Sequence, residues 1–97
     1  MTTTEVLLKA GYGSAEEVFQ GWALMEAMSR MEQYRAECER FERKVQGTFE
    51  EFRQRVRRQR GQEDFDEEAD LEDWAFARSA LKWWQSKVEE LRLAAHA

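Results

Sequence analysis

Residues able to do chemistry are scarce in this chain of 97, and those present sit where chemistry is difficult. The one histidine, His96, stands in Ala94-Ala95-His96-Ala97 beside the C-terminus, where fraying is expected and a general base has no fixed geometry. Cys38 is the only cysteine, so it cannot close an internal disulfide. It falls on an apolar seam, where a free thiol behaves as a small hydrophobe rather than a nucleophile. The run Asp64-Phe65-Asp66-Glu67-Glu68-Ala69-Asp70 invites comparison with a calcium loop. Ala69 takes the place of the sharp-turn glycine, however, and Ala75 that of the bidentate glutamate. Chance pairs of carboxylates are expected among 20 acidic residues, so they do not signal glycoside hydrolysis. The sequence therefore predicts no enzyme, no metal site and no cofactor.

A second cluster is basic. Arg53, Arg55, Arg57, Arg58 and Arg60 gather near the end of a short predicted helix, where cations complement the helix dipole. Arg53, Arg57, Arg58 and Arg60 are also the candidates for phosphate contact, but no aromatic residue interleaves with them to stack on bases. The formal net charge of -5 opposes general affinity for nucleic acid, which rests on Lys and Arg displacing counterions. Nucleic acid is then expected at most through a complex, and a basic protein is the partner that suits this charge.

The elements that carry these residues are helices. Hydrophobic residues make up 42% and charged residues 36%, there is no proline, and only five glycines punctuate the chain. The predicted fold class is all-α in a single domain. Residues 1–13 form a short N-terminal helix and turn, capped by Thr4 and ended by Gly11-Tyr12-Gly13. Ser14-Ala15-Glu16-Glu17 is a capping box opening a long helix over 14–46, and Gly47 marks its end. Thr48-Phe49-Glu50-Glu51 opens a short basic helix over 48–60. An acidic linker covers 61–69. Asp70 then caps a long C-terminal helix over 70–95, with Glu72 and Asp73 also at its positive end.

Both long helices carry apolar residues at alternating spacings of three and four. Leu24, Ala27, Met31, Tyr34, Cys38, Phe41 and Val45 follow this pattern in the first, and Trp74, Ala77, Leu81, Trp84, Val88, Leu91 and Ala95 in the second. Each is a coiled-coil seam of about three heptads, which predicts a long antiparallel hairpin with short accessory helices. A plain three- or four-helix core produces similar stripes. Val18, Trp22 and Met25 add a second stripe to the first long helix, and Phe76 and Trp83 sit seven apart beside the seam of the last.

A two-helix hairpin cannot bury both faces. The surplus is met by the short helices, a second copy of the chain or a foreign partner. The candidates for self-association are Trp22, Met25, Met31, Tyr34, Phe41, Trp74, Leu81, Trp84, Val88 and Leu91, most simply in a homodimer forming a four-helix bundle. A foreign partner is expected on Phe76 and Trp83, with Asp66, Glu67, Asp70 and Asp73 steering it electrostatically. The missing disulfide and the lack of an apolar run of roughly 20 residues predict a soluble, cytoplasmic protein.

Two stretches resemble a known group. The helix end, turn and restart in Phe41-Glu42-Arg43-Lys44-Val45-Gln46-Gly47-Thr48-Phe49-Glu50-Glu51-Phe52, and the acidic lead into Asp73-Trp74 within 67–77, are similar to small helical prokaryotic antitoxin-like proteins encoded beside RNase-like toxins of the TumE type. With a similar opening helix and glycine turn, the likeness spans most of the chain. Val45-Gln46-Gly47 departs from it, standing where that group has aromatic, glycine, methionine. The resemblance implies neutralisation by complex formation, the acidic protein covering the catalytic face of a basic toxin. A self-assembling structural or adaptor protein is the alternative, and a nucleic-acid binder using the arginine cluster the third.

Overall fold

A computed structural model describes residues 1–59, 61 and 64–95. Arg60 and His96 lie outside the described residues. Four helices follow one another: α1 (Thr3–Lys9), α2 (Ala15–Val45), α3 (Phe49–Arg58) and α4 (Phe65–Ala95), and no strand occurs among the described residues.

Local chemistry explains each start. α1 is capped by Thr2, whose hydroxyl accepts from the Glu5 N–H, two residues before the expected Thr4. At α2, Ser14 Oγ accepts from the Glu17 N–H at 3.2 Å, but the Glu17 carboxylate accepts from the Gly13 N–H at 2.7 Å, so the expected reciprocal box reaches one residue further back. α3 has the full capping box, with Thr48 and Glu51 each accepting the other's backbone N–H at 3.2 Å. α4 differs from expectation. Asp64 Oδ1 accepts from the N–H groups of Asp66 and Glu67, and the helix begins at Phe65, so half of the expected acidic linker is helical. Asp66, Glu67 and Glu68 occupy its first turn and hold the dipole position expected of Asp70, Glu72 and Asp73.

The end of α2 is also corrected. Gln46, not Gly47, holds the left-handed position that closes the helix (φ 55°), and its N–H donates to the Glu42 carbonyl. An L-residue pays roughly 1–2 kcal/mol for that conformation. α3 leaves this turn running from Trp74 toward Glu67, and α4 then runs back along both α3 and α2. Lys44 pairs with Asp70 at 2.6 Å, Phe41 stacks on Trp74 with ring centroids 5.8 Å apart, and Tyr34 meets Phe76 edge-on at 6.0 Å. Partner numbers rise along α4 as they fall along α2, which makes the pair antiparallel.

Burial follows the seams unevenly. Ala27, Cys38 and Phe41 of α2 and Trp74, Ala77 and Val88 of α4 are buried, with Leu24, Met31, Tyr34, Leu81, Trp84 and Leu91 half-buried. α3 adds only Phe52 to the buried set, and α1 adds nothing. The main core is the closed half of the hairpin, where α3 packs on α4. Trp74 is 1% exposed, stacked on Phe41 and flanked by Phe49 at 5.3 Å and Phe52 at 5.9 Å. The result is a rod of 66 × 28 × 19 Å with a radius of gyration of 20.0 Å. A compact chain of this length has about 13 Å.

Candidate partner-docking surface

The short helices leave most of the surplus apolar residues uncovered. Phe76 is 65% exposed and Trp83 54%, while Trp22 and Met25 are 66% and 70% exposed. α3 packs on one side of the hairpin, bordering a cleft with Cys38, Glu42, Trp74, Arg78 and Leu81. At about 100° of rotation per residue, Tyr34 and Glu37 on α2, and Asp73 and Phe76 on α4, fall on the other side. That side is bare and carries two grooves along one line. The smaller, of 220 Å³, lies between Gln33, Tyr34 and Glu37 of α2 and Asp73, Phe76 and Ala77 of α4. The larger, of 460 Å³, lies between Trp22, Ala23, Glu26 and Ala27 of α2 and Trp84, Lys87, Glu90, Leu91 and Ala94 of α4.

Trp83 borders the larger groove. Its ring meets that of Trp84 edge-on at 4.8 Å, and the Lys87 ammonium lies over it at 5.3 Å. Phe76 is held by Tyr34 at the wall of the smaller one. Aromatic surface is thus presented on the sides of rigid helices, which lowers the entropy lost when a partner docks.

Carboxylates rim this face, and some are already engaged. Glu37 accepts from Arg40 at 2.5 Å, and that hydrogen bond holds its carboxyl below the usual 4.5. Asp70 is bound to Lys44, and Glu67 to Arg55 at 3.0 Å, so two of the four acidic residues expected to steer a partner fasten α4 to α2 and α3 instead. Asp66 and Asp73 are exposed, and neither forms an ion pair within 4 Å among the described residues. The helix start had a signal in the sequence, since Asp64-Phe65-Asp66-Glu67 has the spacing of a cap, whereas the division among the carboxylates is made by Lys44 and Arg55 from other helices.

Burial corrects other expectations. Phe41, Trp74 and Val88 are 1%, 1% and 3% exposed inside the chain, so they are not free to contact a second copy. Met31, Tyr34, Leu81, Trp84 and Leu91 are half-buried along the α2–α4 seam, and Trp22 and Met25 stand clear of it. Burial, reinforced by Glu42, pushes the Cys38 thiol above its ordinary 9.0 and away from the reactive thiolate. No group of three potential metal ligands converges among the described residues. In the arginine cluster, Arg53 pairs with Glu50, Arg55 with Glu67, and the Arg55 guanidinium also lies over Phe52, whereas Arg57 and Arg58 are exposed at the end of α3. No helix among the described residues is long and apolar enough to cross a membrane.

Compared with protein-family models, curated proteins and solved structures, the chain matches none. Its function must be argued from this surface.

Proposed function

We propose that this chain is a non-enzymatic protein-binding module whose partner, a basic protein, docks on the bare side of the hairpin around Phe76 and Trp83, with Asp66 and Asp73 steering its approach. One observation carries the reading: two large aromatic residues seven positions apart are 65% and 54% exposed on one side of a rigid helix, and the accessory helix of the fold lies on the other side. Aromatic residues dominate binding hot spots, and flanking carboxylates accelerate association with a basic protein. The resemblance to antitoxin-like proteins gives the partner a kind, a basic RNase-type toxin neutralised by complex formation. The backbone at position 46 supports it, since the left-handed conformation of Gln46 falls where that group carries glycine.

The test begins with the protein encoded by the adjacent reading frame, purified with this chain. Phe76→Ala and Trp83→Ala should each preserve helicity by circular dichroism. At least one should weaken the complex by more than about 1 kcal/mol, and affinity should drop as salt rises. Normal binding by both variants sinks the docking site. A neighbour that is neither basic nor bound sinks the toxin reading.

Self-association is the second reading, most simply a homodimer whose paired hairpins form a four-helix bundle. Accessible area favours it. The chain exposes 7480 Å², about 1,600 Å² more than a compact monomer of its mass. A protein whose only activity is this assembly is the structural or adaptor alternative.

A further inference from the structure

The two halves of the hairpin differ in charge as well as in cover. Along the start of α4, residues 64–78 hold seven acidic residues against one base, Arg78. This is a surface that repels its own copy and attracts a basic protein. The open half is composed differently. Residues 15–31 of α2 hold three acids, Glu16, Glu17 and Glu26, against Arg30, whereas residues 81–95 of α4 hold three bases, Lys82, Lys87 and Arg92, against Glu89 and Glu90. One wall of the open half is acidic by two charges, the other basic by one, and the whole is nearly neutral.

Of those charges only Glu26, Lys87 and Glu90 line the larger groove, Glu26 on the α2 side beside Arg30 and Lys87 on the α4 side beside Glu90. Ala23, Ala27 and Ala94 provide small side chains where another helix can approach closely, and Trp22 stands above them 66% exposed. We propose that a second copy of this chain seats on this open half, Glu26 of α2 in each copy facing Lys87 of α4 in the other. The contact is isologous, so each charge complementarity is made twice. The surplus area of about 1,600 Å² is the per-chain share of an obligate interface, which totals roughly 2,000–5,000 Å² over both partners. A basic foreign protein suits this groove less well, because it meets Lys87 there. The inference rests on the second reading above and leaves the acidic start of α4 free for the basic partner.

Sedimentation of the full chain at micromolar concentration tests it. Wild type should have twice the chain mass. Trp22→Glu and Ala94→Glu, both at exposed positions, should sediment as monomers with unchanged helicity. Pairing is tested by charge reversal: Glu26→Lys and Lys87→Glu should each weaken the dimer about tenfold, since each homodimer then holds like charges twice. An equimolar mixture of the two variants should recover the dimer, because opposite charges meet again at both contacts. A monomeric wild type overturns the proposal, as do Trp22→Glu and Ala94→Glu chains that remain dimeric. A mixture no tighter than either variant overturns the α2-to-α4 pairing. If the wild type is monomeric and Trp22→Glu abolishes binding of the basic partner, the groove belongs to that partner. Phe76→Ala, away from the larger groove, probes the partner reading independently, and it should leave the sedimented mass unchanged.

Discussion

The closed and open halves of the hairpin are built on the same alternation of three and four, yet they end in different states. In the closed half a third layer is present: α3 packs on α4 and sets Phe49 and Phe52 against Trp74, which Phe41 covers from α2. Lys44–Asp70 and Arg55–Glu67 then fasten the layers at the edge. In the open half Trp84 and Leu91 meet α2 alone, and α1, which contributes no buried residue, leaves the outer stripe of Trp22 and Met25 in solvent. A heptad seam specifies one contact line. Whether the remaining perimeter of a helix is core or interface depends on what the rest of the chain brings to it.

The comparison breaks most sharply at the two tryptophans. Trp74→Ala removes the centre of the aromatic cluster and should destabilise the chain by about 3–5 kcal/mol in urea unfolding. Trp84→Ala, at a half-buried site, should cost under about 2 kcal/mol. Equal losses would mean that the open half is as tightly packed as the closed one. Thr48→Ala tests what holds α3 in place. Loss of the cap should cost about 1 kcal/mol and quench less of the Trp74 fluorescence change on unfolding. Gln46→Gly should act in the opposite sense, raising stability by up to about 1 kcal/mol, because glycine relieves the left-handed strain at the turn that leads into α3.

The smallest effect is a dependence on pH. Hydrogen bonds from Thr48, first its side chain and then its backbone, hold the Glu51 carboxyl below its ordinary 4.5. A depressed carboxyl contributes stability above 4.5 that disappears as pH falls through the lowered value in the folded chain. Glu51→Gln should therefore flatten the acid limb of a stability–pH curve, and a limb that is unchanged would remove Glu51 from the account.

Helix number and type, both seams and the starts at Ser14 and Thr48 were legible in the sequence, because capping and periodicity are local properties. The spacing of the acidic run also contained the start at Asp64, although charge density there suggested a linker. Tertiary packing decided the remainder. Glu67 and Asp70 look equivalent to Asp66 and Asp73 along the chain, and only the approach of Arg55 and Lys44 from other helices separates them. Gln46 adopts a glycine conformation because the turn that sets α3 against α4 places it there, against its own preference. Phe76 and Trp83 differ from Trp74 in nothing but helical phase. A turn of about 100° per residue put Trp74 beneath α3 and left the other two facing solvent, and no property of a tryptophan or phenylalanine alone encodes which side the third helix will cover.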